Sequence, residues 1–241
     1  GSGAAPAGAL TLLAGAGTAG TSTPGGPRNV GRLVVERMLT RGDPVACVAR
    51  SEAAAEELAA IGCQIAGVGD LMDQAFVAEV VSRTQPATLL TAVGGKDGAG
   101  NRVDGGANVN LFRAAAGLPT PPYVVFVTSW GCGETLEFLG EDARRMLGPA
   151  LRAKTEAEEF LRGSGLPFLI VRPGGLLPGG EAPTGRGVLV RGRPDVGGAI
   201  RRQDLAEVLL RLPRGPGVDG SAVTALDASM ARAEPPLAEG E

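Results

Sequence analysis

Residues 14–38 read AGAGTAGTSTPGGPRNVGRLVVERM, directly after the apolar run ALTLLA at residues 9–14. Gly15, Gly17 and Gly20 fit the spacing G-x-G-x-x-G, in which a strand ends in a tight turn and the first N–H groups of a helix face a pyrophosphate. A helix should begin at once. Instead Thr23-Pro24-Gly25-Gly26-Pro27 follows, a run that no helix interior tolerates. Helical spacing starts only with Asn29 and continues through NVGRLVVERML. The stretch therefore parses as strand, glycine turn and helix, with residues Thr18–Arg28 lying between turn and helix. Two outcomes are open. The insert can bulge outward, leaving Gly15, Gly17, Asn29 and Val30 as the phosphate cradle with Arg28 adding a cation, or it can fold inward and close the site. A buried loop must satisfy all its own backbone groups, which favours the outward bulge.

Outward from this unit, short apolar runs alternate with helical patterns. Strands are expected at Leu10–Ala14, Pro44–Ala49, Gln64–Gly67, Thr88–Ala92, Tyr123–Thr128, Phe168–Val171 and Ala222–Leu226. Helices are expected at Asn29–Thr40, Ser51–Ala60, Leu71–Ser82, Asp104–Ala116, Glu141–Gly163 and Arg202–Leu212. Continuous apolar strands suit a parallel sheet covered on both faces. The expected fold is α/β: a single Rossmann-type doubly wound parallel sheet with helices on both faces and a small C-terminal substrate-cleft region. Residues 1–241 read as one domain, with residues 1–8 and 231–241 flexible and residues 178–198 forming a loop over the cleft.

Composition narrows the function. The chain of 241 residues has a net charge of −3 and no histidine. The charge gives no reason to expect nucleic acid or an anionic membrane as partner. The missing histidine removes Ser-His-Asp and Cys-His chemistry. Cys47, Cys63 and Cys132 lack metal-ligand spacing, so no metal site is expected. An odd count of thiols and no secretion signal over residues 1–9 point to the cytoplasm. The expected partner is a small-molecule substrate, and the chain reads as a monomer or homodimer.

Arg50-Ser51 ends the second strand, where an acidic residue would hold the ribose 2′-OH of NAD and an arginine suits the 2′-phosphate of NADP. NADP(H) is therefore the expected cofactor. Ser51 also reads as a helix N-cap.

The segments VARS (48–51), GDLMD (69–73), TAVGG (91–95), FVTSWGCGE (126–134), AKTEAEEFLRGSGLPFLIVRPGGL (153–176) and IRRQDLAEVLL (200–210) resemble the atypical short-chain dehydrogenase/reductase superfamily, in its NAD(P)H-binding, NmrA-like and biliverdin-reductase-B-like branch. The resemblance implies that Asp70-Leu71 contact adenine and that Val93-Gly94-Gly95 line the dinucleotide. It further implies that Pro173-Gly174-Gly175 lie beside the nicotinamide, and that Ser129 and Lys154 are the catalytic serine and lysine. One departure stands out. The superfamily's active-site tyrosine, four residues before the lysine, is here Ala150, and the only tyrosine, Tyr123, opens the fifth strand. Phenolic proton transfer to a simple ketone is thus not expected.

Three residues near Ser129 are candidate substrate contacts. Trp130 can stack on a flat ring, Cys132 can be a contact or a packing residue, and Glu134 a proton shuttle or an exposed loop carboxylate. Arg186, Arg191 and Arg193 can clamp an anion or be solvated, and Arg202 with Asp204 reads as a structural pair. The functional expectation is an NADPH-dependent reductase of a small conjugated acceptor, quinone- or enone-like, of the kind used in bacterial secondary metabolism. The alternatives are a cofactor-independent cyclase, isomerase or dehydratase on the same scaffold, and a non-catalytic NADP(H) sensor.

Overall fold

This computed structural model describes residues 9–17, 29–177 and 182–234. Strands and helices alternate through its first two-thirds. They are β1 (Thr11–Ala14), α1 (Val30–Arg41), β2 (Val45–Ala49), α2 (Glu52–Ala59), β3 (Gln64–Val68), α3 (Gln74–Thr84), β4 (Thr88–Thr91), α4 (Gly106–Ala116), β5 (Tyr123–Val127), α5 (Glu141–Gly163) and β6 (Phe168–Pro173). Then come β7 (Gly175–Leu177), β8 (Gly187–Val190), β9 (Val196–Gly197), β10 (Ala199–Arg201), α6 (Arg202–Leu209), β11 (Ser221–Asp227) and β12 (Arg232–Ala233). The main sheet runs β3-β2-β1-β4-β5-β6-β11-β8. Its first seven strands are parallel and β8 is antiparallel to β11. This is the expected Rossmann-like α/β sheet. Its order reverses between β1 and β4, where a crevice opens at the strands' carboxyl ends.

Both faces are covered because side chains alternate along each strand. Leu13, Cys47, Leu90, Val125, Leu169 and Val223 face one cluster with Leu33 and Val34 of α1, Leu58 of α2 and Leu205 and Leu209 of α6. Leu12, Val48, Leu89, Phe126 and Ile170 face the other, with Val77 of α3, Leu111 and Phe112 of α4 and Leu161 of α5. Each such side chain contributes about 1.5–3 kcal/mol on burial. Local signals set the helix starts. Asn29, Ser51 and Asp73 cap α1, α2 and α3 with side-chain oxygens that accept backbone N–H groups. Arginine and acid on the surface add little at exposed pairs such as Arg83–Glu79.

The C-terminal third departs from expectation. Gly187–Val190, placed in the loop 178–198, is an edge strand, and Arg232–Ala233, placed in the flexible tail, pairs with β9. Four- and two-residue strands between glycines, prolines and arginines carry no alternation that sequence periodicity detects. Residues 18–28, including Gly20 and Arg28, lie outside the described residues, as do 178–181.

Candidate functional site

The glycine turn after β1 is built by close backbone approach. Gly15 and Gly17 have φ of +94° and +109°, a region that costs glycine little and other residues much. A Cβ on Gly15 would stand 2.6 Å from the carbonyl carbon of Ala92, at the end of β4. A Cβ on Gly31 would overlap the carbonyl oxygen of Gly15. Gly31 therefore occupies the role of the third glycine, close helix–strand packing, which a direct reading of the spacing gave to Gly20. Asn29 accepts the Gly31 N–H at 2.7 Å and caps α1 where the inserted segment rejoins. The Val30 side chain is buried in the core, so only its backbone is available to a ligand.

Around this turn lies a cavity of about 550 Å³, lined by Gly15, Gly17, Asn29, Arg50, Asp70, Leu71, Val93, Gly94 and Gly95. Four separate strand ends and the start of α1 thus bring these nine expected residues to one place. Ser51 instead serves α2, its Oγ accepting the Ala54 N–H at 3.2 Å. Among the wall residues that were not foreseen are Lys96, Asp97 and Gly98. They belong to a short hairpin in which Lys96 bridges Arg102 and Asp97 accepts the N–H groups of Ala99 and Asn101. Arg50 reaches across to this hairpin, Nη1 donating to the Lys96 carbonyl at 3.3 Å. A lysine straight after Gly94-Gly95 was the available signal.

Buried polar groups hold the cavity floor. Asp104, 2% exposed, accepts the Gly95 N–H at 3.1 Å and pairs with Arg102 at 3.1 Å. Asn108 accepts from Thr91 at 2.6 Å and donates to the Val93 carbonyl at 3.2 Å. Lys154, on α5, donates to the Thr128 carbonyl at 3.3 Å, and its Nζ lies 3.4 Å from where a Gly94 Cβ would stand. Lys154 therefore stands against Gly94, a residue of the cavity wall.

Ser129 follows β5 and donates to the Trp130 carbonyl at 3.0 Å. The Trp130 N–H donates to the Pro173 carbonyl at 2.8 Å, and its indole N–H to Pro194 at 3.3 Å. The indole packs so closely on Gly197 that a Cβ there would come within 2.7 Å of the ring. Gly174 is likewise pinned against Gly198, while Gly175 is exposed.

The remaining candidates find partners within the chain. Cys132 is fully buried with Leu139 and Leu151, and burial, then the Glu158 charge, push its thiol up to about 11. It is a packing residue and not a substrate contact. Glu134 is half-exposed and ion-paired to Arg172 at 2.8 Å. Burial alone would raise its carboxyl, but the Arg172 hydrogen bond and charge outweigh that and hold it below its ordinary value. A proton shuttle is not what this pairing suits. Arg186 pairs with Asp227, Arg193 with Asp195, and Arg191 bonds the Gly217 carbonyl. Arg202 and Asp204 do not pair with each other. Arg202 donates to the Leu177 carbonyl and Asp204 accepts from Thr184 and Gly185. Tyr123, at the opposite end of β5, donates to Asp219 at 2.7 Å beneath Arg214, and burial, then Asp219, raise its phenol.

Among the described residues no cluster of three or more metal-ligating side chains occurs, and no helix is long and apolar enough to cross a membrane.

A family profile described as NAD(P)H-binding matches residues 25–216. No curated protein matches the chain. Among solved structures, the anaerobillin reductase ChuY of Escherichia coli O157:H7 is 31% identical with a TM-score of 0.77, covering 93% of this chain and 100% of that one. ChuY of E. coli CFT073 is 28% identical, TM-score 0.74, covering 92% and 98%. At the level of fold alone, WbmH of Bordetella bronchiseptica, solved with NAD⁺, is 16% identical with a TM-score of 0.63, covering 93% and 77%. With its glycine turn, strand order and cavity, the chain belongs to the NAD(P)H-binding family, in the atypical, NmrA-like and biliverdin-reductase-like branch of the short-chain dehydrogenase/reductase superfamily.

Proposed function

We propose that the protein is an NADPH-dependent reductase of a small, flat, conjugated acceptor of the quinone or enone type. The observation that carries this reading is Arg50, which stands on the wall of the same cavity as the glycine turn and the start of α1. An arginine fork there matches a 2′-phosphate, whereas a carboxylate would match the free ribose hydroxyl. The residues present fit a dinucleotide. Gly15 and Gly31 leave no room for a Cβ and keep the backbone close, and Asn29 opens a helix of twelve residues toward the cavity.

Bound there, the cofactor supplies a hydride; the chain's residues do the rest. Gly15, Gly17 and Asn29 would hold phosphate, Arg50 with Lys96 would hold the 2′-phosphate, and Asp70-Leu71 would border adenine. Gly94-Gly95 and Pro173-Gly174-Gly175 would flank the nicotinamide. Lys154, within α5, and Ser129, just after β5, would orient the acceptor's oxygen. With Ala150 where a tyrosine would stand, the acceptor must be one whose reduced form accepts a proton readily. That favours conjugated systems over simple ketones, and similarity to a structure described as an anaerobillin reductase supports a reductase in general.

Calorimetric titration with NADPH and NADH, then steady-state assay against a panel of quinones and enones, tests the reading. The expected result is tighter binding of NADPH, a preference removed by Arg50→Ala, and turnover of at least one acceptor. Equal affinity for the two cofactors, unchanged by that substitution, overturns the assignment of Arg50. Tight NADPH binding without oxidation by any acceptor overturns the reductase.

A further inference from the structure

Glu134 has a partner that an exposed loop carboxylate does not need. Arg172 lies at the end of β6, directly before Pro173, and its side chain is 2% exposed. Its Nε and Nη2 hold Glu158 Oε1 and Oε2 at 3.1 and 2.5 Å. That pair is already neutral and bidentate. Thr128 adds a hydrogen bond to Glu158 Oε1 at 2.7 Å, so β5, α5 and β6 meet on one buried carboxylate. Glu134 then takes the remaining Nη1 at 2.8 Å.

Glu134 is thus a second carboxylate on a pair that is already neutral, with the Arg162 charge also acting on it. What Glu134 does is mechanical. It sits in the segment Ser129–Leu139, four residues after Trp130, and is that segment's ion pair to the rest of the chain among the described residues. The segment has been shaped around Arg172. Gly133 has a φ of +53°, and a Cβ on it would overlap Arg172 Nη2. The Gly133 N–H donates to Thr155 Oγ1 at 3.1 Å, next to Lys154. Gly131 and Gly133 also wall a hollow of about 380 Å³ against Leu151 and Thr155. Thus one guanidinium ties together the chain that follows Ser129, the helix that carries Lys154 and the turn at Pro173-Gly174.

We infer that Glu134 is a positioning residue: through Arg172 it latches the Ser129–Leu139 segment onto the end of β6 and so fixes Ser129 and Trp130 relative to Lys154 and Pro173-Gly174. The inference rests on the proposed reductase reading for the consequence of that positioning, but not for the latch itself. Glu134 does not line the dinucleotide cavity, and its side chain is 56% exposed. Its loss therefore costs little stability and leaves cofactor affinity intact, while the acceptor end loses alignment. Misplacement of reacting groups by about 1 Å lowers rates by up to about a hundredfold.

The test is Glu134→Gln, which keeps the shape and removes the charge. Trp130 is the only tryptophan, so acrylamide quenching of its fluorescence reports the segment directly, with no cofactor present. The expected result is a folded protein with a melting temperature near wild type, raised quenching of Trp130, unchanged NADPH affinity by calorimetry, and kcat lowered about tenfold or more with little change in KM for NADPH. Glu134→Ala reproduces it. Unchanged quenching in both variants overturns the latch. A fall in kcat with Trp130 as shielded as in wild type also overturns it, because Glu134 would then act on the substrate itself. If wild-type protein turns over no acceptor, the reductase reading fails, while the quenching comparison still decides the latch.

Discussion

Gly31 decides more than its neighbours in the glycine turn. Its missing side chain lets α1 approach the Gly15 carbonyl, so Gly31→Ala forces helix and strand apart. Overpacking of this kind costs about 1–3 kcal/mol, and here the displaced backbone is the proposed phosphate cradle. The expected outcome is a lower melting temperature together with at least about tenfold weaker NADPH binding by calorimetry, since about 1.4 kcal/mol of lost binding is tenfold. The spacing of Gly15 and Gly17 was legible in sequence. The role of Gly31 became legible only once Asn29 was taken as the helix start. Cys132 shows the opposite case. Near a candidate serine it reads as a possible contact, but burial is a tertiary property and no local pattern encodes it. Its thiol, pushed up to about 11, is expected to stay unmodified by a thiol reagent at pH 8 in the native protein and to react once denatured. Fast native labelling of Cys132 by mass spectrometry contradicts the placement. Arg172 was visible as an arginine inside the apolar run FLIVRP, yet its two acidic partners lie 14 and 38 positions away and could not be paired from sequence.

At the scale of elements, helices announced themselves better than edge strands. The 23-residue α5 falls where its pattern placed it, because long amphipathic periodicity outlasts local exceptions such as Pro149. β8 gave no such signal; it is held by its ladder to β11 and, just before it, by a tertiary ion pair. Asp227, fully buried at the end of β11, takes Arg186 at 3.2 Å and both the N–H and hydroxyl of Ser229. The Ser229 hydrogen bond, joined by Arg186 and opposed by burial, brings the Asp227 carboxyl to about 2. An unfolded aspartate titrates near 3.9. Because the folded value is the lower one, the stabilisation is complete above about pH 4 and is lost as pH falls toward 2. Asp227→Asn is therefore expected to be less stable at pH 7, by about 1–3 kcal/mol, and to lose less of its remaining stability between pH 4 and 2 than wild type. Parallel melting curves for the two proteins across that range would remove Asp227 from the account.

For the whole molecule, the alternation of apolar strands and helices was enough to foresee a parallel sheet, and the sheet's order then puts the crevice between β1 and β4. What alternation could not give is the sheet's far side, where β11 returns from the C-terminal part to pair with β6 and β8 folds back against it. Binding at the crevice joins strand ends that are distant in sequence. A dinucleotide at a hundredfold excess over its Kd adds about 2.7 kcal/mol of apparent stability, or roughly 5–10 °C for a chain of this size. NADPH is expected to raise the melting temperature more than NADH, and Arg50→Ala to equalise them. The absence of any shift with either, at millimolar concentration, argues against an open crevice.

The hairpin wall and the floor of that crevice share one further property. Lysine occurs at only two positions in the chain, 96 and 154; the first lines the cavity and the second stands against its wall at Gly94. Every other fixed cation is an arginine, inert to acylation at neutral pH. Amine-directed reagents therefore address this one region and the chain's amino terminus, which makes mass-resolved acetylation a footprint of occupancy. It also makes random amine coupling to a resin or dye a poor choice for preparing active protein, because apart from the amino terminus both of its targets lie at the proposed cofactor crevice.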